Sequence, residues 1–445
     1  MTRPIILTRP FWTRLNKVAN QQIHGGEWAD AQPASIRHNL KWFWFDGVLS
    51  SASDNIIVTY LSLYVLALGA SGAQIGWLSS LSSLSATILL IPGALLVERI
   101  GHRKQIILLS GGVAARLFIL LLLLAPWWFT GPGLVSVAIA FAVLRDGLNN
   151  LSLPAWVSLT ADIVPLSWRG RYFGLRNIYM SIAGMAAILL VGELITRTGK
   201  PLGYQVALAL AFGVGMLSTY SYAQLREIHP AVGKKSASKP TFSALGVIKT
   251  LWASPVFLAF SLTSALWNFS LNIAGPFFTV YMVQNLFATP TMVGFLSIVS
   301  SLSGLPAQHF LGPLADRWGP RRIMALTGFI IPVVPFAWLF VTAPWQIIPI
   351  NLVSGFLWGG YSLASFNLLL ELTPQELRER TTALYQVIVS VSLAAGAALG
   401  GILVTQYGIK SVFLASAFGR LIAAVLFIRF VHLQKKPVDV GSPVA

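Results

Sequence analysis

Cysteine is absent from the 445-residue chain. That excludes disulfides, thiol nucleophiles and thiolate metal sites, and it leaves the compartment open. Charge is scarce too: Asp, Glu, Lys and Arg make up 10% of the residues, against about 25% in soluble domains. No ordinary aqueous surface can be covered with so small a set. Acids are the rarer sign, 14 against 31 Lys plus Arg. No GxxxxGK[ST] stretch occurs, which argues against a phosphate-cradling ATPase. The histidines, at 24, 38, 102, 229, 309 and 432, are scattered, so they form neither a metal set nor a nucleophile–base pair. No enzyme activity, cofactor or metal is expected. Residues 1–38 lack the apolar core and small-residue cleavage site of a signal peptide. Their basic and apolar residues suit either a helix lying on anionic lipid or a cytoplasmic tail.

What the chain has is apolar length. Hydrophobic residues make up 55%, and the mean hydropathy is +0.71. Runs long enough to cross a bilayer, about 20 residues at 1.5 Å each, follow one another. They are continuous, whereas a membrane β-barrel shows alternating segments of about ten residues. The expected class is an all-α membrane protein. With Gly, Pro and charge clusters as punctuation, twelve spans emerge: 39–69, 73–98, 104–126, 133–163, 170–196, 202–226, 253–285, 290–316, 321–342, 344–372, 380–406 and 409–431. Placing both termini and the loops 2–3, 4–5, 6–7, 8–9 and 10–11 on one side gathers 25 of the 31 Lys and Arg there. Cytoplasmic loops carry that excess. Both termini are therefore expected in the cytoplasm of a multi-pass cell-membrane protein. The net charge of +17 is a topology signal, and no nucleic-acid partner is expected.

The chain also repeats itself. GWLSSLSSLSATILLIPGALLVERIGHRK (76–104) aligns with GFLSIVSSLSGLPAQHFLGPLADRWGPRR (294–322). Glu98 meets Asp316, Arg99 meets Arg317, Gly101 meets Gly319 and Arg103 meets Arg321. A second echo pairs DIVPLSWRGR (162–171) with ELTPQELRER (371–380). The expected organisation is a tail (1–38), a six-helix bundle (39–227), a polar linker (228–250), a second six-helix bundle (251–432) and a tail (433–445). Parallel repeats of this kind are a transporter architecture.

Gly312, Leu314, Ala315, Asp316, Arg317, Gly319, Arg321 and Arg322 resemble the signature loop between helices 8 and 9 of the major facilitator superfamily. The likeness runs from about residue 39 to 432. The copy between spans 2 and 3 is degenerate, with Ala94 at the leading glycine, Glu98 at the aspartate, and Arg99, Gly101, Arg103 and Lys104 retained. Both copies lack the family's basic residue after the second glycine, where His102 and Pro320 stand. In the family that residue joins a charge relay; here Arg103 can substitute, with Asp162 as the third member. Glycine at 312 permits close helix approach. A carboxylate one turn later suits a helix N-terminus, so Asp316 is expected at the start of span 5 (Arg169, Arg171) and Glu98 at the start of span 11 (Arg378, Arg380). These charges are either a gate or topology anchors.

Ionisable groups inside a bilayer are costly and mark function. Asp46 and Asp54 lie on span 1, Arg116 on span 3, and Arg145 with Asp146 on span 4. Asp46, Ser50 and Ser53 fall within about 40° of one another on a helix, with Asp54 beside them. Arg145 and Asp146 are neighbours about 100° apart, so both cannot point squarely inward. The family resemblance implies that spans 1, 4, 7 and 10 line a central cavity, which makes Asp46, Asp54 and Asp146 cavity acids. It also likens Arg145 to an arginine of proton-coupled members. Three acids against Arg116 and Arg145 leave one negative charge over, as a proton carrier needs. Static pairs, such as Asp146 with Arg116, are the other reading. The second half supplies Asn268 and Asn272, then Trp358 and Tyr361, a wall suited to an amphipathic or cationic solute. Most single aromatics in such a chain pack or face lipid, and the serine stripes of spans 2 and 8 are expected to be packing faces.

The expectation is a monomeric secondary transporter of a small organic solute working by alternating access, proton-coupled, with efflux as one direction. Uptake of a nutrient or metabolite stands beside it, as does a transport-inactive sensor or lipid-handling protein. Span 5 reads SIAGMAAILLVGELI, without the Gly-Pro pair of the family's antiport signature.

Overall fold

The computed structural model describes residues 21, 23, 25–164, 166–226, 255–373 and 378–432. The linker 228–250 and the tail 433–445 lie outside them. Among the described residues every regular element is helical. The spanning helices are α1 (Ala34–Ala67), α2 (Gly72–Ile100), α3 (Arg103–Trp128), α4 (Gly131–Ile163), α5 (Arg169–Thr198) and α6 (Leu202–Ala223), followed by α7 in two pieces (Pro255–Ala274 and Phe277–Gln284). Then come α8 (Pro290–Trp318), α9 in two pieces (Pro320–Ile330 and Val333–Trp338), α10 (Ile347–Leu372), α11 (Arg378–Tyr407) and α12 (Lys410–Phe430). Eleven of the described helices are long and apolar enough to cross a membrane. Helix α1 is not among them: at 34 residues it is long enough, but its polar stripe lowers its apolarity.

Local chemistry sets the boundaries. Ser71 and Gln74 form a capping box at the start of α2, Ser71 N–H donating to Gln74 Oε1 at 2.9 Å and Gln74 N–H to Ser71 Oγ at 3.3 Å, so two orphan donors are satisfied at once. Gly101 ends α2 at φ +70°, and Gly319 separates α8 from α9 at φ +84°. Both repeat copies thus stop at a glycine of positive φ, Gly101 as a left-handed cap and Gly319 with an extended ψ of 147°, backbone states that glycine adopts without a Cβ penalty. Pro320 then occupies the first turn of α9, where its missing N–H costs nothing. The breaks in α7 and α9 follow Pro276 and Pro332, each lacking a donor. Within α3, residues Leu108–Ala114 form a π-helical segment, a form that often marks functional sites.

By compactness the chain forms two units: Met1–Lys239 with Pro276–Ile298, and Pro240–Gly275 with Val299–Ala445. In the first, α1 packs on α5 and α6, α2 on α4, and α3 on α4 and α6. In the second, α7 packs on α11 and α12, and α9 on α10 and α12. The repeat reappears inside each. Ser85 Oγ donates to Ser82 O (3.0 Å) and across to Val143 O of α4 (3.1 Å). Ser303 Oγ donates to Ser300 O (2.8 Å) and across to Asn351 O of α10 (3.2 Å). These serines are packing contacts, set among glycines: a Cβ on Gly93 would overlap the Leu151 carbonyl, and one on Gly359 would stand 2.7 Å from Gly304 O.

At one end of the first unit a cluster of buried side chains includes Phe43, Leu159, Ile163 and Tyr172. A short 3-10 turn, Glu27–Ala31, docks on it. Trp28 stacks on Trp168 with ring centroids 5.2 Å apart and planes 4° from parallel, and its Nε1 donates to Gly25 O at 2.9 Å. Arg169 donates to the carbonyls of Ala161 and of Val164 (3.1 Å) at the end of α4. A cation there satisfies orphan acceptors and meets the negative end of the helix dipole.

Candidate functional site

The ionisable groups of the first unit form one polar seam across α1, α3, α4, α5 and α6. Arg145 lies at its centre: Nη2 is 3.0 Å from Asp54 Oδ1 and Nη1 is 2.8 Å from Asp146 Oδ1. Arg116 reaches the same Asp54 oxygen at 3.4 Å and donates to Ser53 Oγ at 2.8 Å. Ser50 Oγ donates to the other Asp54 oxygen at 2.9 Å. A planar guanidinium can hold two acceptors in fixed directions, which an ammonium cannot. Arg116 therefore serves Asp54, and the pairing of Asp146 with Arg116 is corrected to Arg145. Neighbouring residues meet because the long Arg145 side chain bends back to its own helix while still reaching α1.

Asp46 has a separate environment. Ser218 Oγ of α6 donates to its Oδ1 at 2.7 Å, and Arg176 Nη2 of α5 is 3.7 Å from Oδ2. Arg176 also donates through Nε to Phe43 O at 3.0 Å and lies 4.1 Å over the Phe43 ring. A third arginine thus enters the network, and the expected surplus negative charge is corrected to three acids facing three arginines. Arg176 lies within the expected span 170–196, two turns inside α5, and is not among the ionisable groups counted within the spans. Glycine makes the room: a Cβ on Gly47 would collide with the Arg176 guanidinium, and one on Gly215 would stand 2.7 Å from Arg116 Nε. A glycine adjoining an acid on a polar helix face was the available signal.

Exposure separates the acids. The side chains of Asp54 and Asp146 are 36% and 25% exposed, that of Asp46 10%. Asp54 and Asp146 are part-exposed, whereas Asp46 is nearly buried.

In the second unit, Trp267 stacks on Tyr361 at 4.7 Å and 17°, with Trp358 edge-on to Tyr361 at 5.5 Å. Trp267 and Tyr361 belong to the unit's hydrophobic core, so Tyr361 moves from cavity wall to packing. Trp358 and Asn268 are half-buried, Asn268 donating to Ser264 O of its own helix at 2.8 Å. Asn272 bridges to Leu393 O of α11 at 2.8 Å, a helix-to-helix tie. Arg420, 2% exposed, donates to Leu271 O at 3.4 Å beside the break in α7.

The loop residues are also placed. Arg103, 4% exposed, lies 2.6 Å from Asp162 and donates to Ser158 Oγ at 3.0 Å. Its repeat mate Arg321 instead donates to the carbonyls of Val431 and Ile428 (2.8 Å for the latter) at the end of α12. Glu98, Arg99, Asp316 and Arg317 are exposed, and Gly312 is half-buried beside Leu363. Arg169 is taken up by the end of α4. The side chains of Arg378 and Arg380 lie outside the described residues.

A model of the Major Facilitator Superfamily matches residues 43–284 and 267–444. The multidrug resistance protein MdtG of Dickeya zeae is 24% identical over 420 residues, covering 92% of this chain and 97% of that protein. The multi-drug resistance efflux pump PmrA of Streptococcus pneumoniae serotype 4 is 24% identical over 398 residues, covering 86% and 93%. Among solved structures, the nucleoside transporter NupG superposes with a TM-score of 0.71 at 14% identity, over 88% of this chain and all of that one. A bacterial homologue of the iron transporter ferroportin in its inward-facing state gives 0.68 at 18%, over 90% and all of that chain. These two likenesses show the fold. With matches running the length of the chain, apolar helices throughout and a polar seam inside them, this protein belongs to the major facilitator superfamily, as a multi-pass membrane protein and a secondary transporter.

Proposed function

We propose that the protein exports small amphipathic or cationic organic molecules across the cell membrane in exchange for protons. The observation that carries the reading is Asp54, a part-exposed carboxylate shared by Arg116 and Arg145 while Arg145 also holds Asp146. A proton on either acid releases its share of Arg145, which then turns wholly to the other. A cationic solute competes for the same oxygens. Binding of one therefore disfavours the other, which is the linkage an exchanger needs. The likeness to MdtG, a multidrug resistance protein, and to PmrA, a multi-drug resistance efflux pump, supports a drug-like solute and the outward direction.

Solute moves by alternating access, with no bond made or broken. The lopsided Lys and Arg distribution favours cytoplasmic termini.

The test is uptake of a fluorescent monovalent organic cation into proteoliposomes under an imposed pH gradient. Asp54→Asn and Asp146→Asn, each checked for monodispersity, should reduce gradient-driven flux to background. Wild-type flux in both variants would show the acids to be static pairs.

A further inference from the structure

A part-open cavity of about 270 Å³ lies among α1, α3, α4 and α6 of the first unit, lined by neither Asp54 nor Asp146 itself. Asp46 and Ser50 of α1, Arg116 of α3, Asn150 and Ser152 of α4 and Thr219 of α6 line it. The π-helical segment of α3 adds Gly111 and Gly112. Arg116 is 8% exposed, and its Nε is buried without a hydrogen bond in the protein. A cavity of this volume with several polar groups on its wall has room for more than one water molecule, since one water needs only about 10–15 Å³ and two to four polar partners.

The other guests fit poorly. An anion at Arg116 Nε would face the carboxylates of Asp46 and Asp54; a cation at Asp46 would face Arg116 and Arg176. Neutral water satisfies all of them. The cavity also lies toward the end of the unit where α3 begins, α4 and α6 finish, and Gly101 turns the chain: Ile107, Trp156 and Tyr222 line it there.

We propose that this cavity is a water-filled side vestibule that connects Asp46 to the aqueous phase at the Gly101 end, and that Asp46 exchanges its proton through it. Asp46 is then loaded or emptied without passage through the solute site. The groups facing Asp46 are Arg176 on α5, Arg116 on α3, Ser218 on α6 and Asp54 on its own helix, with Tyr172 and Tyr222 beside Arg176. Asp46 is the enclosed acid of the seam, and the vestibule is the water it touches. The proposal deepens the proton-exchange reading and rests on it only for its effect on transport.

The cysteine-free sequence allows a direct test. Ser152→Cys and Thr219→Cys, and Ala142→Cys as a fully buried control, are made singly and labelled in oriented membrane vesicles with a small charged thiosulfonate. The wall cysteines should react at least about tenfold faster than the control, because buried thiols are inert. They should do so from the same side as Glu98→Cys. Wall cysteines as inert as Ala142→Cys, or labelled from the opposite side, overturn the vestibule. In the second arm Thr219→Leu, whose folding is checked by thermal unfolding, fills the space. Loss of pH-driven flux with solute counterflow retained supports the proton route, and unchanged pH-driven flux refutes it. If the wild type shows no pH-driven flux at all, proton exchange and the route fail together while the labelling arm still decides whether the vestibule is wet.

Discussion

Asp46 and Arg176 pair across α1 and α5, 3.7 Å apart, with the guanidinium laid over Phe43 and fitted against Gly47. The Arg176 side chain is 4% exposed and that of Asp46 10%. Breaking such a pair by removing one member leaves an uncompensated buried charge, at about 3–5 kcal/mol. Arg176→Ala should therefore lower the thermal unfolding midpoint sharply. Arg176→Ala with Asp46→Asn should recover part of the loss, because the stranded charge is gone. A double variant no more stable than the single one would mean the pair is incidental.

Close helix contact makes a second prediction. A methyl at Gly93 runs into the Leu151 carbonyl, while one at Gly213 in α6 meets nothing within 4 Å. Gly93→Ala should destabilise by about 1–3 kcal/mol, as overpacking does. Gly213→Ala should leave stability unchanged or raise it slightly, since alanine is the better helix former. Equal unfolding midpoints for the two variants would contradict the packing.

The gate reading makes the third. Asp316 is exposed at the end of α8. Asp316→Asn should shift the labelling of single cysteines placed along the solute path toward the cytoplasmic side. An unaltered labelling pattern leaves Asp316 as a topology anchor.

Much of the fold was legible because its punctuation is chemical. Gly101 and Gly319 mark two helix ends at positive φ, and the repeat at 76–104 and 294–322 returns as the matched Ser85 and Ser303 contacts, whereas the breaks at Pro276 and Pro332 fall inside the unbroken spans expected at 253–285 and 321–342. The acids and arginines within the spans were legible too, since each is conspicuous among apolar neighbours. Their pairing was not. Which acid Arg145 or Arg116 holds depends on side-chain reach between helices, and linear spacing does not encode it. Arg176 was not legible because its partner lies 130 residues earlier, on a helix whose groove at Gly47 exists only after packing. Tyr361 shows the converse: an aromatic on a cavity-side helix went to the core because Trp267 stacks on it. The π-helical turn of α3 has no sequence mark beyond Gly111–Gly112, which fit an ordinary helix as well.

The Trp28–Trp168 stack has a practical side. Residues ahead of α1 form the cover of an apolar patch that includes Ile163, Val164 and Tyr172. A shortened version starting at α1 would leave that patch bare, inviting aggregation during purification. An affinity tag belongs upstream of Gly25, where it leaves the indole in its seat.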